Sequence, residues 1–161
     1  DMINCMVVKY KYMGVTIDAE FKDHICFLNG DSGSGKSFLL RVFESYLSGK
    51  SISYCLFNYS SMVAVRGFDF DSVDVVMLDN ADLYMNRDIY MKAKKSHALV
   101  LICMHSYSGF DPSGSGEYVI DHEEKTNTLS VRRLGIWYGN FLHLFKGISS
   151  LLYRSVVKWY L

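Results

Sequence analysis

The sequence has no excess of charge of either sign. Its 17 lysines and arginines are matched by 17 aspartates and glutamates, so no bulk field draws it to DNA, RNA or an anionic membrane. Two basic clusters, Lys92, Lys94 and Lys95 and then Arg132 and Arg133, read as solvated element ends. Metal-ligand spacing is missing too: Cys5, Cys26, Cys55 and Cys103 stand apart, and the five histidines form no zinc pattern. The cysteines read instead as reduced residues of a cytoplasmic protein, three of them in predicted strands. No run of 18 apolar residues occurs, which excludes a membrane-spanning helix of ordinary length. The chain opens on Asp1 before Met2 without a signal-peptide pattern, so no targeting segment is expected. Proline is nearly absent. The single one, Pro112, falls in the glycine- and serine-rich stretch 106–116, which reads as a loop.

What is present is an ordinary globular balance. Half of the 161 residues are apolar or aromatic and 21% are charged, enough to build one core at this length. The chain is organised around residues 25–40, where the apolar run Ile25–Leu28 leads into Gly-x-x-x-x-Gly-Lys-Ser, with Gly30, Gly35, Lys36 and Ser37 in the fixed places. This is the Walker A, or phosphate-loop, pattern. Backbone N–H groups must turn inward around a polyphosphate, and glycines let the chain curl and approach closely enough. The helix that follows points its unpaired N–H groups and positive dipole end at the same place. In such a loop Lys36 reaches the β- and γ-phosphates, and Ser37 holds Mg²⁺ with its hydroxyl. Asp31, Ser32, Gly33, Ser34 and Phe38 complete the expected nucleotide contacts.

The rest of the chain alternates strand and helix signals. Residues 4–21 read as a hairpin around Gly14, 25–29 as a core strand and 35–47 as a helix ending near Gly49. A second strand is expected at 52–57 and a short helix around 61–66. Val73 to Leu78 is an apolar strand running into Asp79, the Walker B pattern, which delivers a carboxylate to Mg²⁺ beside the loop. Residues 82–95 read as one helix with a basic end, 98–104 as a buried strand ending at His105 and Ser106, and 117–121 with 128–133 as a second hairpin. Trp137, Phe141, Leu144, Phe145, Ile148, Leu151, Leu152, Val156 and Trp159 fall at helical spacing. An amphipathic tail over 135–161 is therefore expected, packing on its own domain or on a second subunit in preference to a membrane interface.

Gly30–Ser37, Asp79 at the end of its strand, and a strand at 98–104 ending in a polar pair resemble the P-loop NTPases. The spacing is similar to the additional-strand branch, which holds AAA-type, STAND-type and ABC-type ATPases. The resemblance covers about residues 3–134 and implies a three-layer α/β/α P-loop fold with a mostly parallel central sheet. To that fold the sequence adds an N-terminal hairpin, a C-terminal hairpin and the C-terminal amphipathic helix. It implies a nucleotide-binding domain over 1–134 with the tail 135–161 beside it. It also implies that the strand 98–104 lies between the Walker A and Walker B strands, with His105 or Ser106 as the sensor at its tip. Asn80 stands where these ATPases usually carry a glutamate that polarises water. Asparagine orients a water but does not take its proton. Asp82 is the nearby carboxylate, and Arg41, Arg66, Arg87, Arg132 and Arg133 are open as arginine fingers.

The expected function is Mg²⁺-ATP binding with slow hydrolysis, or an ATP-dependent switch. Lys36, Asn80, Asp82, His105 and Ser106 are the candidate catalytic residues, and Ser37 and Asp79 the metal ligands. A small-molecule or nucleotide kinase is the alternative that the loop also fits, and a non-hydrolysing ATP-binding assembly module is the other. The expected partners are ATP and a protein, or a second copy, through the 136–161 helix.

Overall fold

In the computed structural model, residues 5–30, 33, 35–105, 110 and 113–134 are described. Met6–Tyr12 (β1) and Val15–Phe21 (β2) pair antiparallel. The two residues between them, Met13 and Gly14, both have positive φ, 49° and 84°, which suits the twist of a two-residue hairpin turn. The chain continues through Ile25–Asn29 (β3), Lys36–Gly49 (α1), Tyr54–Phe57 (β4), Met62–Gly67 (α2) and Val75–Leu78 (β5). Arg87–Lys95 (α3), Leu99–Cys103 (β6), Ser115–Glu123 (β7) and Thr128–Arg133 (β8) follow.

All eight strands join one sheet in the order β1-β2-β8-β7-β3-β6-β5-β4. From β7 through β3, β6 and β5 to β4 each adjacent pair is parallel, as is the pair β2–β8, whereas β1–β2 and β7–β8 are antiparallel. The sheet is strongly curled, and α1 shows why. Tyr10 on β1 is hydrogen-bonded to Ser45 of α1 at 3.1 Å, and Tyr54 on β4 to Ser48 of α1 at 2.9 Å. Laid flat, the two edges of eight strands would stand about 34 Å apart, while a helix with its side chains is only about 10–12 Å wide. Both edges reach α1 only because the sheet bends around it.

Alternation along the strands sorts the core onto two faces. On the concave side Leu39, Leu40, Val42, Phe43 and Leu47 of α1 pack against Cys26, Leu28, Met77, Leu101, Phe21 and Val131. On the other side Val65 of α2 and Ile89, Tyr90 and Ala93 of α3 cover Ile25, Phe27, Val76, Leu78, Val100 and Ile102.

The three-layer α/β/α P-loop architecture expected from the sequence is not what forms. Among the described residues the sheet is mixed and curled, strand (39%) outweighs helix (31%), and the three helices are short. The physical reason lies in the two hairpins. Both extend the sheet itself, and their apolar residues Val8, Ile17, Ala19, Ile120 and Leu129 close over α1, work that further helices do in a layered fold. A second difference concerns 82–95. Ala81–Leu83 is a 3₁₀ turn and α3 starts only at Arg87, because Asn86 caps it by accepting from the Ile89 N–H at 2.9 Å. The amphipathic tail expected over 135–161 lies outside the described residues.

Candidate functional site

Parallel pairing brings three chain ends to one edge of the sheet. Leu28 of β3 is in register with Cys103 of β6, and Ile102 of β6 with Leu78 of β5. The glycine loop after β3, His105 after β6 and Asp79 after β5 therefore leave the sheet side by side, with β6 in the middle.

The loop is held at both ends. Asn29 Oδ1 accepts from the Gly30 N–H at 2.9 Å, and Lys36 Nζ donates to the Gly30 carbonyl. Gly35 is the N-cap of α1 with φ of 90°, and Gly33 has φ of 83°. Both lie in the left-handed region that favours glycine. No side chain caps α1 among the described residues, and its first turn holds no acidic residue. A helix start carries amides without an intrahelical partner and a positive dipole end, both suited to an anion.

Asp79 is fixed from its backbone. Its N–H donates to the Phe57 carbonyl at 2.8 Å, which continues the β4–β5 ladder by one bond. The Tyr84 hydroxyl donates to the Asp79 carbonyl at 2.9 Å and reaches the Phe57 carbonyl at 3.2 Å. The turn between is made by Asn80 with φ of 51°, a conformation asparagine tolerates better than most residues. With the backbone so placed, Asp79 Oδ1 accepts from Ser37 Oγ at 3.0 Å. Burial, with the Asp79 carboxylate adding to it, pushes both the Tyr84 hydroxyl and the Cys103 thiol well above their ordinary values. Both stay protonated, so Cys103 is no nucleophile.

Asp82 follows in the 3₁₀ turn and faces the tip of β6. Its two carboxylate oxygens each accept from the His105 N–H at 2.9 Å, and Oδ2 lies 3.0 Å from His105 Nδ1. His105, Asn80, Phe38, Ser37, Lys36, Gly35 and Gly33 line a cavity of about 260 Å³. A larger concavity of about 580 Å³ lies between α2 and α3, lined by Arg66, Asn86, Asp88, Ile89 and Lys92. Converging groups suited to a polyphosphate are in the smaller one, and convergence of polar groups marks a site better than volume does.

Of the residues singled out from the sequence, Gly33, Gly35, Lys36, Ser37, Phe38, Asn80 and His105 meet in one cavity. Gly30, Asp79 and Asp82 are bonded to members of that set. Asp31, Ser32, Ser34 and Ser106 lie outside the described residues. Arg132 and Arg133 are engaged elsewhere, with Asp18 at 2.7 Å and with Asp23 at 2.6 Å and 2.9 Å. Asp23 precedes β3, at the opposite end of that strand from the glycine loop. The anchoring roles of Asn29 and Tyr84 escaped sequence reading: the periodicity placed Tyr84 inside a helix, and nothing in the spacing marked Asn29.

Ser37 and Asp79 supply two hard oxygen donors within 3.0 Å, a set that fits Mg²⁺, which takes few protein ligands and completes its shell from phosphate and water. Among the described residues no group of three or more His, Cys, Asp or Glu could hold a metal. No family model matches the chain, and no curated protein matches it. Among the described residues no helix is long and apolar enough to cross a membrane.

Proposed function

We propose that this chain binds Mg²⁺-ATP at the N-terminus of α1 and hydrolyses it slowly, in the manner of the P-loop ATPases its motifs resemble. The observation that carries the reading is the Ser37–Asp79 contact at 3.0 Å. Two motifs separated in sequence, each expected to ligate the same cation, meet at the mouth of one glycine loop. The position of β6 between β3 and β5 supports it further, since the resemblance implies such a strand.

The chain's own groups divide the work. Loop and first-turn amides around Gly33 and Gly35 hold the phosphates, and Lys36 neutralises charge on the terminal ones. Ser37 and Asp79 hold Mg²⁺, which when bound neutralises charge on the β- and γ-oxygens. Asn80 orients a water without taking its proton, which favours slow turnover. Four free cysteines, Cys5, Cys26, Cys55 and Cys103, suit a reducing, cytoplasmic setting.

Titration of a fluorescent ATP analogue with and without Mg²⁺, followed by phosphate-release assays, tests the reading. Mg²⁺-strengthened binding and phosphate release that needs no acceptor are expected. Release only in the presence of a small-molecule acceptor means a kinase, and no binding removes the proposal.

A further inference from the structure

We infer that His105, oriented by Asp82, takes the proton of the attacking water and so fills the role that Asn80 cannot. The inference rests on the ATPase reading above and assigns its missing base. Asp82 grips His105 at two places, its backbone N–H at 2.9 Å and ring Nδ1 at 3.0 Å. A carboxylate only accepts, so Nδ1 carries the hydrogen and Nε2 carries the lone pair. His105 is exposed on the same cavity that Lys36, Ser37 and Asn80 line. An imidazole whose Nδ1 is engaged by a carboxylate, beside an amide able to orient water, is the equipment of a general base. Among the described residues, Lys36 lines the same cavity, Asp79 is bonded to Ser37 of that cavity, and Asp82 engages the ring.

In the step, the water oxygen forms a bond to the γ-phosphorus as the bond from that phosphorus to the β–γ bridging oxygen breaks. The bridging electron pair leaves with ADP. The water proton passes to His105 Nε2, and the imidazolium so formed is stabilised through Nδ1–H by the Asp82 carboxylate. The proton later leaves to solvent, and the products are ADP and inorganic phosphate. His105 is the catalytic residue, because it touches the water, and Asp82 is a positioning residue.

The test measures single-turnover hydrolysis and Mg²⁺-ATP affinity side by side for the wild type, His105→Gln, Asp82→Asn and the double variant His105→Gln/Asn80→Glu. Glutamine keeps a polar side chain but takes no proton. His105→Gln is expected to slow hydrolysis about 10²-fold with the Kd unchanged, Asp82→Asn to slow it less with the Kd again unchanged, and Asn80→Glu to restore the rate in the His105→Gln background. A rate for His105→Gln equal to wild type overturns the inference, as does a loss of affinity in place of rate. Asp82→Asn leaves His105 in place and keeps the question open to decision if His105→Gln does not fold: an unchanged rate there overturns the pair's role. A wild type that binds without hydrolysing removes the base and leaves the binding site standing, whereas a wild type that does not bind removes both.

Discussion

Ser37 Oγ donates to Asp79 Oδ1 at 3.0 Å, joining the first turn of α1 to the end of β5. The two oxygens form the pair that a hard cation needs. Ser37→Ala and Asp79→Asn are each expected to remove most of the Mg²⁺ dependence of ATP binding while leaving Mg²⁺-free binding nearly as it was. Calorimetry with and without Mg²⁺ checks this. A full Mg²⁺ effect retained in both variants means that the cation is held elsewhere.

Tyr84 holds the backbone that aims Asp79. Its hydroxyl is buried and donates to the Asp79 carbonyl at 2.9 Å. Tyr84→Phe is expected to cost about 1–2 kcal/mol of stability, the range for a lost hydrogen bond that leaves a part-buried carbonyl short of a donor. Mg²⁺-ATP affinity is expected to fall with it. Urea unfolding and calorimetry read the two effects, and unchanged values in both would deny the tyrosine this role.

Gly116 is needed for space. A Cβ there would lie 2.0 Å from Asp23 Oδ2 and 2.7 Å from the Tyr118 ring. Asp23 cannot step aside easily, since Arg133 holds it at 2.6 Å and 2.9 Å and the Tyr118 hydroxyl at 2.7 Å. Gly116→Ala is expected to destabilise by about 1–3 kcal/mol, measured by urea unfolding. Stability within error of the wild type would mean that the cluster repacks freely.

Asp74 gives the fold a defined response to acid. Ser53 donates to its Oδ2 from the hydroxyl at 2.6 Å and from the backbone N–H at 3.0 Å, and these bonds hold the carboxyl below its ordinary value of 3.8. A lowered folded value means stability that is present above 3.8 and lost as pH falls through the folded value. The Tm difference between wild type and Asp74→Ala is therefore expected to be largest near neutral pH and to shrink in acid. Asp74 is well exposed, so the difference is modest. A gap that stays constant into strong acid would show that ionised Asp74 adds nothing.

The parts of this molecule that were readable from sequence are those governed by short-range rules. The strand at Ile25–Asn29 and the turn at Met13–Gly14 follow from apolar runs and turn chemistry. The loop from Gly30 to Ser37 is marked by glycine spacing and Asp79 by the strand before it. What sequence could not supply was tertiary. Nothing local says that β2 pairs with β8, and that one pairing joins the N-terminal hairpin to the sheet and lets it curl around α1. The Asp82–His105 bonds span 23 positions and appear only once β5 and β6 are neighbours. Tyr84 was hidden for a related reason: helical periodicity continues through it, while Asn80 and Asn86 break the helix there.

Binding of Mg²⁺-ATP to the wild type and to Lys36→Ala, measured by isothermal titration calorimetry, bears most directly on the site. Lys36 is bonded to the Gly30 carbonyl across the loop and lines the cavity, so its ammonium stands where the terminal phosphates are expected. The expected result is saturable wild-type binding that weakens about 10- to 100-fold in Lys36→Ala, as loss of a charge-assisted hydrogen bond would give. No heat of binding in the wild type, or identical isotherms for the two proteins, would contradict it.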